Sequence, residues 1–273
     1  MKLFFITNSI PLAKFATDAG VDRIFVDLEI IGKEDRQGHL STVISRHRIS
    51  DVIKLRSVVD IGQLLVRINP IHKDSENEIN QVVDAGADVI MLPMFHTPEE
   101  VKTFIDLVAG RAETSILVET VGAMKFLEEC ISIKGVDEVH IGLNDLHLEM
   151  NKKFMFELFS DGHIDAMAKI LRKYHIPFGV GGIARLGEGL LPAERLLAEH
   201  VRVGSTAAIL SRTFHRQSTT VEDIKQHMDF ADEVKKLKDE YEFYLNSSDE
   251  VLNQQHRETV NKIIQISNSL VNR

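Results

Sequence analysis

The stretch 138-EVHIGLNDL-146 closes an apolar run at Ile141, sets Gly142 after it, and follows with Asn144 and Asp145. An ordinary turn would read this way. So would a strand that delivers a carboxylate to a site. The same design recurs along the chain. Val-, Ile- and Phe-rich runs stand at LFFIT (3–7), RIFVDL (23–28), LLVRI (64–68), DVIML (88–92), SILVET (115–120), EVHIG (138–142), PFGVG (177–181) and VRVG (201–204). Several are apolar on both faces, as strands of a buried parallel sheet must be. Amphipathic segments lie between them. TPEEVKTFIDLVAG (97–110) reads as a helix with Thr97 as N-cap, Pro98 at its first position and Gly110 past its end. ENEINQVVDAGA (76–87) reads as another, closed at Gly86.

Eight strand–helix units imply parallel strands joined by crossover helices. Polar residues gather just after the strands, and no Gly-rich dinucleotide fingerprint follows the first one. Both points favour a closed α/β barrel, the (β/α)8 TIM barrel, over an open doubly wound sheet. We expect it to span residues 1–216. Residues 217–273 are expected to form a C-terminal helical extension, with an apolar stripe at Val221, Ile224, Met228, Ala231, Val234, Leu237 and Tyr241. That stripe packs either on the barrel or on a neighbouring subunit.

Composition narrows the function. The 273 residues are 44% hydrophobic and 27% charged, with a formal net charge of −9. Excess acid disfavours nucleic acid and anionic membranes as partners. Cys130 is the single cysteine and falls on the apolar side of a helical segment, so no disulfide or cysteine-rich metal site is expected. The opening MKLFFITNSIPLAK is a short apolar run broken by Asn8 and Pro11, which reads as a first strand and not as a signal peptide. No apolar run approaches the ~18 residues of a membrane span. A cytoplasmic location is the expectation.

In such a barrel, residues at the carboxyl ends of the strands converge. They are Asp27 and Glu29, Arg67 and Asn69, Pro93, Glu119 and Thr120, Gly142 to Asp145, and the glycines of 179–182, which are expected to bring backbone close to a ligand. Glu119 and Asp145 come from consecutive strands, so they are neighbours. Two carboxylates suit Mg²⁺ or Mn²⁺, with water and substrate oxygens completing the shell. Each could instead cap a helix. Arg67 needs an anion: a substrate oxygen, or an internal salt bridge to Asp27 or Glu29. His140 reads as a packed strand residue. His96 and His147 lie near the site. His72, His175, His200, His215, His227 and His256 read as surface positions.

The ordered set VDLE, VRINP, GADVIMLPM…TPEEV, ILVETVGA and HIGLNDL resembles the HpcH/HpaI aldolase and citrate lyase β-subunit family, within the phosphoenolpyruvate/pyruvate barrels. The later AERLLAEHVRVGSTAAILSR fits its last strand and following helix, and the resemblance covers roughly residues 1–215. It implies a divalent metal, Mg²⁺ or Mn²⁺, on Glu119 and Asp145. It implies that Arg67 contacts a pyruvate-like or enolate fragment, and that amides of the Gly142, Leu143, Asn144 and Asp145 loop bind the substrate carboxylate. The implied chemistry is a carbon–carbon lyase or aldolase reaction beside a carbonyl, through a metal-bound enolate, on a 2-oxo acid or acyl-CoA. A homo-oligomer is implied as well. The chain departs from the pattern at Ile30, where the aldolase branch has a catalytic His (DGEH) and the lyase branch an Asp (DLED). Glu29 and His39 are the remaining candidates for the base, with Lys33, Glu34 and Arg36 in the same loop. Two other readings stand beside this one: a barrel that has lost activity and serves binding or assembly, and a phosphoenolpyruvate-using enzyme.

Overall fold

The computed structural model describes residues 1–32, 47–60 and 62–271. They form eight parallel strands closed into a barrel: β1 (Lys2–Ile6), β2 (Arg23–Asp27), β3 (Leu64–Arg67), β4 (Val89–Leu92), β5 (Glu113–Val118), β6 (Glu138–Ile141), β7 (Phe178–Ile183) and β8 (Ala207–Leu210). Each strand pairs with the next in sequence, and β8 closes on β1 through Lys2↔Ala207 and Phe4↔Ile209. Helices run between the strands on the outside, so this is a (β/α)8 barrel.

Side chains alternate along each strand, and the two faces bury different sets. Phe4, Phe25, Leu65, Val89, Met91, Leu117 and Ala207 fill the barrel interior. Leu3, Phe5, Ile24, Val26, Leu64, Val66 and Ile90 face the helices. A charged layer seals the amino-terminal floor. Arg23 reaches across to Glu138 at 2.6 Å and Glu113 at 3.3 Å, with its guanidinium 5.3 Å from the centre of the Phe4 ring. That end is committed to holding the barrel shut, which leaves the carboxyl ends for chemistry.

The helix at Pro98–Val108 starts as the sequence indicates. Thr97 and Glu100 form a reciprocal capping box, and the chain leaves through Ala109 in the left-handed region. VRVG is not a strand. It ends the helix Ala193–Val203, whose buried Leu196, Leu197, His200 and Val203 follow the helical period, and Gly204 at φ +86° terminates it. The last strand begins three residues later, at Ala207. Correspondingly, His200 is not at the surface. It is 2% exposed and bonds Ser205 Oγ at 2.8 Å.

The chain beyond residue 216 forms helices at Val221–His227, Phe230–Leu245 and Asp249–Val271. The latter two lie on Ala193–Val203 of the same chain. Tyr241 donates its hydroxyl to Ser205 O at 3.0 Å, His256 pairs with buried Glu199 at 2.9 Å, and Arg195 meets Glu258 at 3.3 Å. Val234, Leu237 and Tyr241 of the expected stripe are buried. Among the described residues no helix is long and apolar enough to cross a membrane.

Candidate active site at the carboxyl ends of the strands

Asp27 ends β2 and Arg67 ends β3, and the strand register sets them side by side. Arg67 Nε donates to Asp27 Oδ1 and Nη2 to Asp27 Oδ2, both at 2.9 Å, the two-pronged geometry a planar guanidinium favours. Glu29 Oε2 lies 3.3 Å from the same Nη2. Asp27 and Glu29 are each 2% exposed. Burial works against the Arg67 charge, but the two carboxylates overrule it and its pKa ends well above the usual value. The internal salt bridge weighed for Arg67 is therefore formed. Its five N–H donors are not exhausted by it, so an oxygen of a bound molecule can still be met.

Glu119 follows β5 and is 3% exposed. The Met94 amide donates to its Oε1 at 3.2 Å. Burial pushes its carboxyl up to about 8; Arg67 opposes this, while the charges of Asp145 and Glu29 add to it. Asp145 stands in the first turn of the helix Leu143–Glu149. Between the two acids lies Gly142, and here glycine is required. A Cβ would stand 2.7 Å from Glu119 Cβ and 2.9 Å from its Oε2. The capping alternative belongs elsewhere: Thr120, and not Glu119, caps the next helix, accepting from the Ala123 amide.

The loop after β6 divides its work. The Gly142 amide donates to Val118 O at 2.9 Å, as part of the barrel ladder, so this residue contributes room and not a donor. Leu143 turns inward, 3% exposed, and packs where a Gly181 side chain would be. Leu143, Asn144 and Asp145 open the helix, where backbone amides lack intrahelical acceptors.

Two glycines of β7 make room for the protein's own side chains. A Cβ on Gly179 would meet His140 Nδ1 at 2.5 Å and one on Gly181 would meet Leu143 Cδ1 at 2.6 Å. The close approach is to the protein's own side chains. His140 is a core residue, 2% exposed, with Nε2 on Gly181 O at 3.1 Å. His96 is exposed, and half-buried His147 bonds Leu143 O. Cys130 is buried, and burial first, then Glu129 and Glu99, push its thiol up to about 12, which leaves it inert. Ile30 points to solvent at 58% exposure and cannot take a proton. His39, Lys33, Glu34 and Arg36 lie outside the described residues.

Three participants escaped the sequence reading. His47 Nδ1 accepts from the Asp27 amide at 3.0 Å. Glu78 and His72 stand behind Asn69, as taken up below. None ends a strand, and none belongs to a motif.

Among the described residues no group of three or more His, Cys, Asp or Glu is arranged to hold a metal ion. Glu119 and Asp145 nonetheless fit a hard divalent cation that keeps several waters. Burial, with the charges of Asp145 and Glu29 added, disfavours the ionised Glu119, and such a cation would offset that.

A sequence-family profile described as HpcH/HpaI aldolase/citrate lyase matches residues 1–171. No curated protein sequence matches the chain. Among solved structures, an HpcH/HpaI aldolase from Desulfitobacterium hafniense superposes with a TM-score of 0.60 at 14% identity, over 84% of this chain and 94% of its own. A citrate lyase from Burkholderia xenovorans does so at 0.58 and 13%, over 96% and 95%. Citrate synthase SbnG gives 0.59 and 14%, over 87% and 94%. At such identity these likenesses speak for the fold.

Proposed function

The chain belongs to the HpcH/HpaI aldolase/citrate lyase family, and on that premise we propose that it is a divalent-metal-dependent carbon–carbon lyase. It would cleave or form the bond next to a carbonyl, with a 2-oxo acid or an acyl-CoA as substrate. The observation that carries this reading is the buried Glu119, pushed up to about 8 beside Asp145, with Arg67 across from it. A carboxyl buried this deeply is costly to keep for packing alone.

A cation on Glu119 and Asp145 would supply Lewis acidity toward the substrate's carbonyl oxygen. The chain's own residues do the rest. Arg67, locked by Asp27, offers remaining N–H donors to an oxygen that gains charge as the bond breaks. Leu143, Asn144 and Asp145 offer helix-start amides to a substrate carboxylate, and Gly142 leaves room for it. In the cleavage direction a base removes the proton of the hydroxyl on the carbon being released. That carbon becomes a carbonyl, and the bonding pair passes to the enolate, which then takes the proton that the base removed. We assign the base to Glu29, whose carboxylate stands 3.3 Å from Arg67. His39 is the second candidate.

The test is a screen for pyruvate release and for proton exchange into pyruvate, across 2-oxo acids, hydroxy acids and CoA esters, with and without Mn²⁺. Mn²⁺-dependent exchange that is lost in Glu119→Gln is expected. Exchange that survives in Glu119→Gln refutes the assignment. The solvent-facing Ile30 favours a second reading, a binding or assembly subunit. That reading predicts a Mn²⁺-induced rise in melting temperature with no turnover on any substrate.

A further inference from the structure

Two residues past Arg67, Asn69 is 8% exposed and has every polar atom engaged. Its Oδ1 accepts from the Ile30 amide at 2.9 Å and from the Ile31 amide at 3.0 Å. Its Nδ2 donates to Leu28 O at 3.4 Å and to Glu78 Oε1 at 2.7 Å, and its own amide donates to the same Oε1 at 3.2 Å. The other oxygen of Glu78 meets His72 Nε2 at 3.1 Å. His72 Nδ1 accepts from the Asp74 amide at 3.2 Å, which assigns the ring proton to Nε2 and makes His72 a donor to Glu78. His72 and Glu78 line a cleft of about 360 Å³ between the helices Ile49–Arg56 and Ser75–Asp84, so the outer end of the chain of bonds reaches solvent.

The bonds of Asn69 bracket one residue. Leu28 precedes Glu29, and Ile30 and Ile31 follow it. The Glu29 amide on Asp27 Oδ1 at 3.2 Å and the Leu28 amide on Arg67 O at 2.9 Å also hold this turn. We infer that Asn69 is a positioning residue: it grips the backbone on both sides of Glu29 and thereby sets the Glu29 carboxylate against Arg67, while Glu78 and His72 hold Asn69 in the orientation that makes this possible. The catalytic consequence rests on the proposed lyase reading; the clamp itself does not. Glu78 suits the place because one of its oxygens accepts two N–H bonds from Asn69 and the other meets His72.

Three variants test it: Asn69→Ser, Asn69→Asp, and Asn69→Asp combined with Glu78→Gln. The first removes both ends of the clamp. The second keeps an acceptor for the Ile30 and Ile31 amides but sets two carboxylates face to face. The third exchanges donor and acceptor and restores the side-chain bond between residues 69 and 78, though not the bond to Leu28 O. Amide hydrogen exchange read by NMR is expected to quicken at Ile30 and Ile31 by at least about tenfold in Asn69→Ser, with the amides of β3 and β4 unmoved. In Mn²⁺-supported pyruvate proton exchange, kcat is expected to fall by about a hundredfold, as for a catalytic group displaced by about 1 Å. KM would stay within about threefold, because Arg67, Glu119 and Asp145 are untouched. The double variant is expected to recover part of the loss in kcat relative to Asn69→Asp. Unchanged exchange at Ile30 and Ile31, or a double variant no better than Asn69→Asp, would overturn the inference. A wild type without pyruvate exchange would sink the lyase reading alone, and the amide exchange would still decide the clamp.

Discussion

Glu119 sets the most demanding prediction. Its buried carboxyl is pushed from 4.5 up to about 8 by desolvation and by Asp145 and Glu29, against the pull of Arg67. At pH 7 such a group carries its proton in about nine molecules of ten. A divalent cation on Glu119 and Asp145 needs that oxygen ionised. Binding at pH 7 should then release about 0.9 proton, and apparent affinity should weaken about tenfold per pH unit below 8. Calorimetric titration with Mn²⁺, repeated in buffers of different ionisation enthalpy, counts the protons. Glu119→Gln should abolish the release and most of the affinity. The same shift has a stability counterpart. The folded carboxyl keeps its proton to about pH 8 and the unfolded one only to about 4.5, so the folded chain binds more protons in that window. Without metal, stability should therefore fall as pH rises from 4.5 to 8, by up to ~5 kcal/mol. Wild-type release below about a third of a proton, or equal release in Glu119→Gln, refutes the assigned pair.

Four further outcomes can be checked. Arg67→Met strands Asp27 and Glu29 without their cation and should cost ~3–5 kcal/mol in urea unfolding; adding Asp27→Asn should recover part of it. Gly179→Ala drives a methyl to 2.5 Å from His140 Nδ1 and 2.8 Å from Ala207 O, and a loss of ~1–3 kcal/mol is expected. Burial lowers His140 to about 4 and His200 to about 3. The unfolded chain then binds more protons below pH 6.5, so stability should drop by ~2 kcal/mol for each between pH 6.5 and 5, and His140→Phe should remove its share. Truncation after Arg216 deletes the partners of Glu199, Arg195 and Ser205 O. A lower melting temperature is expected; an unchanged particle mass per chain by light scattering would count against a role for the tail in assembly.

What the sequence shows and hides follows from range. Strand–helix alternation is local, so seven strands and the barrel could be read directly. VRVG failed because a buried helix face and a buried strand can carry the same short apolar run; only the period through Leu196, Leu197 and His200 separates them. The glycines of β7 are ambiguous for a different reason. A glycine announces a close approach without naming what approaches, and here it is His140 and Leu143.

The sequence proposes a membership for the site but not its pairing. The strand-end rule yields Asp27, Glu29, Arg67, Glu119 and Asp145. Which of these acids pairs directly with Arg67 depends on geometry. Arg67 spends its hydrogen bonds on Asp27 and Glu29, the acids of the neighbouring strand, and offsets Glu119 only through space. Glu119, next to Asp145, is thereby left to be governed by its burial, which is where the proposed cation would act. At Ile30 the same turn sends one side chain to solvent and buries its neighbour Glu29, and this is why the proposed base is Glu29.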